Sequence, residues 1–548
     1  MTQLKWTLPA EVLQIILEYL PRPEDLFNCC LVCSTWCNIG GKLLWKSPIL
    51  TRMTTSRAFP ALEPIFKAPK DSVSPLVQII DAYDCSSEIL DKILTWILQL
   101  RNLRVLKLPP GHLTCWRITS NSFAFQSLRV LKHVSIEQND LGRYFLYQLI
   151  ENCPLLEDLS IQVERGTRSR KTSPDTKLSH IPKARHLRRL KLMEEFRLQP
   201  CGELKEDFLE IILLAMPSIQ EFTLVTYSIP NELAATLSRV CPNITHLRIR
   251  NLHVYGNSTL DRRIAETSES VASYFKTQLT KLELDFGRVN RNSLTLMLPN
   301  SWYEHSWTHL TSLKLSGIQI SPLQMVALSS SIPKTMSNLE IHLPSVETIQ
   351  LLPLSSELNL DSWLSMFVKC GSSLTSLKIH SDSLPKGFAK ILGKYCSKLK
   401  HLQLESPAVD EFSVNDIVRD LGGSLSTLHI HSVNLGTRTF HIIAKKCVRL
   451  EGLSLNRSCE VPSQSPYYSQ ENQTRLYIED RVSHRFLQNL TKLSLVHWKL
   501  GVEFFDMLSK TSNSNLTQVH VSEPYPSVVD GSLFSTLKTK FSEFLFVD

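Results

Sequence analysis

One pattern of apolar positions returns along almost the whole chain: an apolar residue, two others, an apolar residue, one other, and a third apolar residue. Its first copy is Leu103, Leu106 and Leu108. Later copies begin at Leu131, Leu156, Leu187, Ile219, Ile244, Leu279, Leu310, Val346, Leu374, Leu399, Leu425, Leu450, Leu490 and Leu516. Successive side chains of a β-strand point to opposite faces, so two apolar positions that lie two residues apart share one face. Each copy therefore predicts a short strand with one buried face.

The copies, about fifteen in number, recur with a base period near 25 or 26 residues that insertions lengthen in places. Between them the sequence has helical periodicity, as in residues 143–150 and 208–214, where apolar side chains recur at three-and-four spacing. Each unit is thus predicted to be a strand followed by a helix. Stacked units would bury a continuous ladder of Leu and Ile that no single unit could bury alone.

Four predicted strands are preceded by a cysteine three residues before the first apolar position: Cys153, Cys241, Cys396 and Cys447. This arrangement resembles the cysteine-containing class of leucine-rich repeats, and the period agrees with that family. The resemblance implies an α/β solenoid that is curved, with strands on its concave face and helices on its convex face. We expect these cysteines to be small buried residues at turns rather than metal ligands, because each lies in a different repeat.

Residues 1–50 do not follow the repeat and predict a separate helical module. Pro9 suits the first position of a helix. Apolar residues follow it at helical spacing: Val12, Ile15, Ile16 and Tyr19. A second helix is predicted from Glu24, with one stripe made of Leu26, Cys30, Cys33 and Cys37. Fifty residues are few for an independent core, so this much apolar surface indicates that a partner covers part of it.

The segment from Leu8 to Trp45 resembles the F-box motif throughout its length. The features that it keeps are Leu8-Pro9, Glu11, Val12, Ile15, Leu20, Pro21, Asp25-Leu26, Val32-Cys33, Trp36 and Leu44-Trp45. It departs from the motif at Cys37, where a basic residue is common. The resemblance implies docking onto the Skp-type adaptor of cullin-RING ubiquitin ligases, and through it a link to the cullin and RING subunits. The residues that it implies at or behind that interface are Leu8, Pro9, Ile15, Leu20, Leu26, Val32, Cys33 and Trp36.

An F-box followed by leucine-rich repeats resembles the substrate-receptor subunits of SCF-type E3 ubiquitin ligases. This implies a non-catalytic subunit that binds an unknown protein target for ubiquitination. The sequence has no Walker loop, dinucleotide glycine fingerprint, HExxH or GxSxG motif, which agrees with that expectation. An alternative stays open: a scaffold that uses the same F-box to assemble a complex without ubiquitination.

These patterns divide the chain into an F-box at 1–50, a linker at 51–73, an N-terminal cap at 74–102, about fifteen repeats over 103–522 and a C-terminal cap at 523–548. The first cap is predicted to contain a strand near Ile79 and a helix over 89–98. Apolar residues that could close the last repeat are Leu533, Leu537, Phe541, Phe544 and Phe546. Two insertions, at 164–186 and 456–489, are predicted to be loops.

The outward strand positions supply candidates for target binding. A basic patch is predicted from Arg189, Lys191, His246, Arg248 and Arg250, and it could receive an acidic or phosphorylated segment. Ordinary solvated strand residues are the alternative interpretation. A histidine ladder over three successive repeats consists of His380, His401, His429 and His431. We expect polar ladder residues here, with titration near neutral pH or metal binding as the alternative.

Composition and charge narrow the kinds of protein, partner and compartment that remain open. The 548 residues are 43% hydrophobic and 20% charged, which is ordinary globular usage, and the net charge of +8 is a mild bias that favours no nucleic-acid partner. We find no apolar run long enough to cross a membrane and no secretory signal. The 13 cysteines are scattered, which predicts free thiols in a reducing compartment. We therefore expect a cytoplasmic or nuclear protein with no membrane partner, metal or cofactor.

Overall fold

The computed structural model describes residues 8–20, 23–47, 76–83, 85, 100, 102–108, 126–138, 140–164, 182–194, 204–227, 229–230, 232–252, 258–286, 301–304, 306–318, 320–343, 358–381, 384–406, 409–432, 435, 437–456, 489–496, 498, 502–510, 515–522, 531–541 and 543–547. The predicted linker, the predicted helix of the first cap and most of the two predicted loops lie outside these residues. The chain forms two compact units, Met1–Ile244 and Thr245–Asp548.

The first unit begins with three helices, α1 (Ala10–Glu18), α2 (Pro23–Cys30) and α3 (Ser34–Lys46). Strands and helices then alternate irregularly: β1 (Ile79–Asp81), β2 (Val105–Lys107), β3 (Val130–Glu137), α4 (Asp140–Asn152), β4 (Asp158–Glu164), β5 (Arg189–Glu194), α5 (Glu206–Leu214), β6 (Glu221–Thr226) and α6 (Leu233–Val240). The six strands β1 to β6 pair in parallel, each with its neighbour in chain order.

The second unit continues the pattern with β7 (His246–Asn251), α7 (Ser258–Phe275), β8 (Lys281–Asp285), α8 (Ser301–Glu304), β9 (Ser312–Ser316), α9 (Pro322–Ser331), β10 (Asn338–His342), α10 (Leu360–Cys370) with a 3₁₀ turn (Gly371–Ser373), β11 (Ser376–His380), α11 (Phe388–Tyr395), β12 (His401–Glu405), α12 (Glu411–Leu421), β13 (Thr427–His431), α13 (Thr437–Lys446), β14 (Gly452–Asn456), β15 (Lys492–Val496), α14 (Val502–Lys510), β16 (Gln518–Ser522), α15 (Gly531–Lys540) and β17 (Glu543–Val547). Neighbouring strands are again parallel and in chain order. The predicted α/β fold of stacked strand-and-helix repeats is confirmed.

The core is built from the repeated apolar positions. A strand lies on every predicted repeat that the structure describes, and the apolar residues of each repeat are buried: Leu310, Leu313 and Leu315, for example, are at most 1% exposed. Full burial of one such side chain contributes roughly 1.5–3 kcal/mol to the stability of the fold. The stacked ladder of these side chains therefore supplies the driving force for folding that a single repeat lacks.

The sequence pattern missed one strand of the repeats. The sequence pattern put a strand after Val346, which lies outside the described residues, whereas the strand that pairs with both β9 and β11 is Asn338–His342. Its buried side chains are Met336, Leu339 and Ile341. Methionine fills the first apolar position because it packs like leucine, and a search for Leu, Ile and Val overlooks it.

The C-terminal cap repeats the architecture rather than departing from it. Helix α15 leads into β17, which extends the sheet by pairing in parallel with β16. Of the residues predicted to close the last repeat, Leu537, Phe541 and Phe544 are buried, and the last two rings stack at 6.1 Å between centroids.

A row of hydroxyl groups joins successive repeats at the start of the strands. The side chain of Thr280 donates to the carbonyl of Thr245 at 3.1 Å, and Thr311 donates to Thr280 at 3.1 Å. Ser337 donates to Thr311 at 3.0 Å, and Thr375 donates to Ser337 at 3.2 Å. Each hydroxyl thus satisfies a main-chain acceptor of the preceding repeat.

The cysteines before the strands are buried and free: Cys153, Cys241, Cys396 and Cys447. Cys241 Sγ lies 3.6 Å from the carbonyl oxygen of Met216 and 3.9 Å from that of Leu213. These thiols are therefore packing residues that also approach main-chain oxygens at the helix-to-strand turns.

Candidate functional site

The N-terminal helices hold together through a small set of close contacts. Leu13 and Leu17 of α1 are 1% exposed. Gly40 of α3 is buried, and a Cβ built on it would lie 2.8 Å from Cys30 Sγ and 3.9 Å from a methyl group of Leu17. The absence of a side chain at Gly40 thus lets α2, α1 and α3 approach one another.

The α1 side chains Val12, Ile15, Ile16 and Tyr19 face outward, because Leu13 and Leu17 form the inner stripe. The structure corrects one sequence-based expectation about these helices. The predicted second stripe does not exist as one helix. Helix α2 ends at Cys30, and Cys33 has extended backbone (φ −164°, ψ 171°) at the start of α3.

A large apolar surface remains exposed on α1 and at the end of α2. Tyr19 is 83% exposed and Leu31 is 71% exposed. The other exposed large apolar side chains of the module are Leu8, Val12, Ile15, Ile16, Phe27 and Val32. Four of the α1 residues follow one another at helical spacing and so share one face of that helix. An apolar surface of this extent on three short helices is characteristic of an interaction site.

The residues predicted at the adaptor interface divide into two groups. Exposed are Leu8, Pro9, Ile15, Val32 and Cys33, and half-buried are Leu20, Leu26 and Trp36. The exposed residues Val12, Ile16, Tyr19, Phe27 and Leu31 are not part of the predicted set. Helical periodicity with Leu13 and Leu17 on the inner side would have identified the α1 members. The interface assignment itself stays a prediction.

The module is attached to the first strand of the repeats. The amide of Gln78, directly before β1, donates to the carbonyl of Lys46 at the end of α3, at 3.0 Å. Both residues belong to the first unit.

The arginines of the predicted basic patch have carboxylate partners. In the first unit, Arg189 Nε lies 3.2 Å from Asp158, which also pairs with Lys132. In the second unit, Arg248 Nε lies 3.1 Å from Glu283 and Arg250 Nε lies 3.4 Å from Asp285. The local positive charge is therefore smaller than the sequence suggests, and target binding by these residues and by Lys191 and His246 stays a prediction.

Two histidines of the predicted ladder, His380 and His429, lie beside a carboxylate, Glu405. His380 Nδ1 lies 2.8 Å from Glu405 and His429 Nε2 lies 4.0 Å from it, while His401 bonds to Thr427 at 2.9 Å. Hydrogen bonding from His380 lowers the pKa of Glu405 to about 2, against the opposing effect of burial. Burial lowers the pKa of His429.

A second carboxylate, Glu340, lies at the centre of a network on the adjacent strands β9, β10 and β11. Its Oε1 lies 2.8 Å from Lys314 Nζ, 2.8 Å from His342 Nε2 and 3.4 Å from Lys378 Nζ. Burial alone would raise the pKa of Glu340, but hydrogen bonds from His342 and Lys314 and the charges of the two lysines outweigh it and lower the pKa to about 2. Glu340 is therefore a permanent anion at neutral pH.

Beside this network lies a groove of about 200 Å³. The residues that line it are Glu283, Ser312, Leu313, Lys314, Asn338, Leu339, Glu340, Ser376, Leu377, Lys378, His401, Leu402, Gln403, Thr427 and His429. The groove runs across β8 to β13 in the second unit and is mainly polar.

In the part of the chain that the structure describes, three or more His, Cys, Asp or Glu side chains are nowhere grouped so as to hold a metal ion. None of the described helices is both long enough and apolar enough to cross a membrane.

Comparison with protein families gives one match: residues 5–51 match the family model described as F-box-like. A comparison with curated proteins gives no match.

Comparison with solved structures gives matches with low TM-scores and low sequence identity. The yeast Rad7 and Elc1 complex matches with a TM-score of 0.36 and 13% identity over 87% of this chain and 91% of that chain. The TLR13–ssRNA13 complex matches with a TM-score of 0.30 and 14% identity, over 82% and 65% of the two chains. The leucine-rich repeat-containing protein LegL7 from Legionella pneumophila matches with a TM-score of 0.27 and 13% identity, over 58% and 90%.

Proposed function

Starting from an F-box-like segment that precedes stacked leucine-rich repeats, we propose that the chain is the substrate-recognition subunit of an SCF-type E3 ubiquitin ligase. The F-box-like helices dock on a Skp-type adaptor, and through it on cullin and RING subunits. The repeats bind the target protein. The observation that carries this proposal is the exposed apolar surface of α1 and α2 within the segment that matches the F-box-like family.

Physical chemistry supports a partner at this surface. Each large apolar side chain that passes from water into an interface contributes roughly 1.5–3 kcal/mol when fully buried. Tyr19 and Leu31 have most of their surface in water, so an adaptor groove that covers them gains most of this free energy. Aromatic and large apolar anchors of this kind usually dominate binding energy at an interface.

The proposed role is non-catalytic. In such a complex the partner subunits carry out ubiquitin transfer, and the receptor contributes by raising the effective concentration of a target lysine near them. The hydrogen bond from Gln78 to Lys46 supports this role, since it joins the adaptor-binding helices to the first strand of the repeats. We propose that the chain works in the cytoplasm or the nucleus.

Capture of the adaptor tests the proposal. The full chain, as wild type and as the Tyr19→Asp/Leu31→Asp variant, is expressed in cells, and bound Skp-type adaptor, cullin and RING subunits are quantified. We expect the variant to lose all three, because a buried charge without a partner is costly at an apolar interface. Leu323→Asp is the matched control, since Leu323 is 83% exposed on α9 in the repeats.

Two results would change the conclusion. A wild-type chain that captures the adaptor without cullin favours the scaffold alternative. A wild-type chain that captures no Skp-type adaptor contradicts both functions.

A further inference from the structure

A groove of about 520 Å³ lies between α9 and α10 in the second unit. The two helices point in the same direction, because each leads from the end of one parallel strand to the start of the next. Small side chains form the floor, where the hydroxyl groups of Ser329 and Ser365 share a hydrogen bond of 2.6 Å. The groove is thus open because serines, rather than larger side chains, join the two helices.

Large apolar side chains border this groove and are exposed. Leu364 and Val368 lie one turn apart on α10, and Val368 is 59% exposed. On α9, Leu323 is 83% exposed and Val326 is 39% exposed, and both share a helix face with Ser330, which lines the groove. Each helix therefore contributes an apolar stripe beside the groove, and exposed apolar patches of this kind mark interaction sites.

The two ends of the groove have opposite charge. Asp361 lies in the first turn of α10, whereas Lys369 lies in its last turn and Lys334 follows the end of α9. Lys369 Nζ donates to the carbonyl of Ser330 at 3.5 Å, which directs this ammonium group across the groove. Among the residues that the structure describes, none forms an ion pair with Asp361 or Lys334. A partner thus meets one anionic end and one cationic end.

This surface is complementary to itself when it is reversed. In a two-fold dimer the same patch is used on both copies, so each residue meets a different residue of the partner and the contact is made twice. If the axis passes near Ser365, midway between Asp361 and Lys369, α10 lies antiparallel to α10 of the second copy. The anionic end of each groove then faces the cationic end of the other, and the helix macrodipoles also oppose each other favourably.

The apolar side chains fit the same axis. At 1.5 Å per residue, Leu364 lies about 1.5 Å before Ser365 along α10, and Val368 lies about 4.5 Å after it. Reversal places Val368 of the partner subunit about 4.5 Å before the axis and Leu364 of the partner subunit about 1.5 Å after it. The four side chains therefore alternate between the two copies at steps of about 3 Å, so that they interdigitate instead of meeting head on.

We propose that the face formed by α9 and α10 docks a second copy of this chain in an antiparallel two-fold dimer. Leu364 and Val368 form the centre of the contact, and Asp361 faces Lys334 and Lys369 of the partner subunit at each end. A second copy fits better than an unrelated protein, because this one surface supplies every charge and apolar group that it needs in a partner. The contact is small, so we expect a reversible dimer with a dissociation constant on the order of 10 μM. This inference goes beyond the proposed function and does not depend on it.

Sedimentation velocity of the full chain tests the dimer. Every protein carries Tyr19→Asp/Leu31→Asp, so that the exposed apolar surface of the N-terminal helices does not contribute to association. Each is measured from about 1 to about 100 μM at low salt, where exposed charges are screened least. We expect the sedimentation coefficient of this parent chain to rise from that of a monomer towards that of a dimer.

A substitution at the centre of the contact makes the test specific. Val368→Asp should weaken association at least about tenfold, because it puts a charge into the apolar centre twice in each dimer. Phe412→Asp is the matched control. Phe412 is 78% exposed on α12, two repeats beyond α10, and this change should leave association as it is in the parent chain.

Charge reversal tests the pairing of the ends. Asp361→Lys alone and Lys334→Glu/Lys369→Glu alone should each weaken association about fivefold or more, because each puts like charges at both ends of the contact. The chain with all three changes has the reversed polarity and is self-complementary again. Its association should return to within about threefold of the parent chain, a recovery that loss of folding cannot produce.

Three results would overturn the inference. The first is a parent chain that stays monomeric over the whole concentration range. The second is equal association of the Val368→Asp and Phe412→Asp variants, which would place any dimer contact elsewhere. The third is a three-residue variant that associates no better than Asp361→Lys, which would show that the two ends do not face each other.

Discussion

Gly40 of α3 lies directly against Cys30 of α2: a Cβ on Gly40 would come within 2.8 Å of Cys30 Sγ and 3.5 Å of the carbonyl oxygen of Leu26. Real Cβ atoms essentially never come within 3.0 Å of another atom, so the contact with Cys30 Sγ would force the helices to shift. The neighbouring Gly41 differs, because a Cβ there would meet no atom of the described residues within 4 Å. Two adjacent glycines in one helix thus have opposite structural roles.

This difference predicts opposite effects of alanine. Gly40→Ala should push α2 away from α3 and destabilise the module by about 1–3 kcal/mol, as overpacking does. Gly41→Ala should stabilise α3 by about 0.5–1 kcal/mol, because alanine has the higher helix propensity. Hydrogen exchange of the α2 and α3 amides measures both effects. Equal protection in the two variants would show that the contact with Cys30 carries no energetic weight.

The hydroxyl row predicts a stability effect at Thr311. Thr311→Val keeps the shape of the side chain but removes the donor to the carbonyl of Thr280, so the repeats around β9 should lose about 0.5–1.5 kcal/mol. Thr335→Val, at an exposed position after α9, is the control and should change stability little. Urea unfolding combined with hydrogen exchange of β8–β10 measures the loss. An unchanged Thr311→Val variant would mean that the carbonyl is satisfied by its main-chain donors alone.

The repeat could be predicted from the sequence because burial imposes a period that every unit obeys. Leu313 and Leu315, or Leu402 and Leu404, have to share the buried face of a strand, and their spacing records this requirement. The pattern failed at Met336, where a different residue type meets the same requirement. On α1, apolar residues occupy both faces, so the spacing alone does not say which stripe packs inside; the structure shows that Leu13 and Leu17 do.

The polar contacts were harder to predict, because the partner of each charged side chain lies on another repeat. Arg248 and Glu283 are 35 positions apart in the chain, and Lys314 and Glu340 are 26 apart. The sequence showed the basic residues of the patch but not the register that puts a carboxylate beside each arginine. Insertions of unequal length between the repeats hide that register until the strands are paired.

The network around Glu340 predicts a pH dependence of stability. Its folded-state pKa of about 2 is below the ordinary value of 4.5, so the carboxylate stabilises the fold above pH 4.5, and this contribution is lost as the pH falls towards 2. Glu340→Gln should therefore be less stable than wild type by about 1–3 kcal/mol at neutral pH, and the difference should shrink below pH 4.5. Hydrogen exchange of β9–β11 measures it.

Glu451→Gln is the matched control for this prediction, because Glu451 is exposed beside β14. Glu451→Gln should leave hydrogen exchange of β9–β11 unchanged. A Glu340→Gln variant with a constant deficit from pH 7 to pH 2.5 would contradict a role for the ionised carboxylate and would indicate a packing effect.

The cysteines predict two classes of thiol reactivity. Burial raises the pKa of Cys153, Cys241 and Cys447 to about 12. Thiols react with alkylating reagents as thiolates. In the native protein the reagent should therefore modify these three cysteines only as fast as local unfolding exposes them. Cys33 and Cys37 are exposed and should react within minutes. Mass spectrometry after N-ethylmaleimide treatment at neutral pH measures each site, and guanidinium-unfolded protein, in which all thiols react, calibrates complete modification. Reaction of Cys241 at the rate of Cys33 would contradict its position in a packed turn.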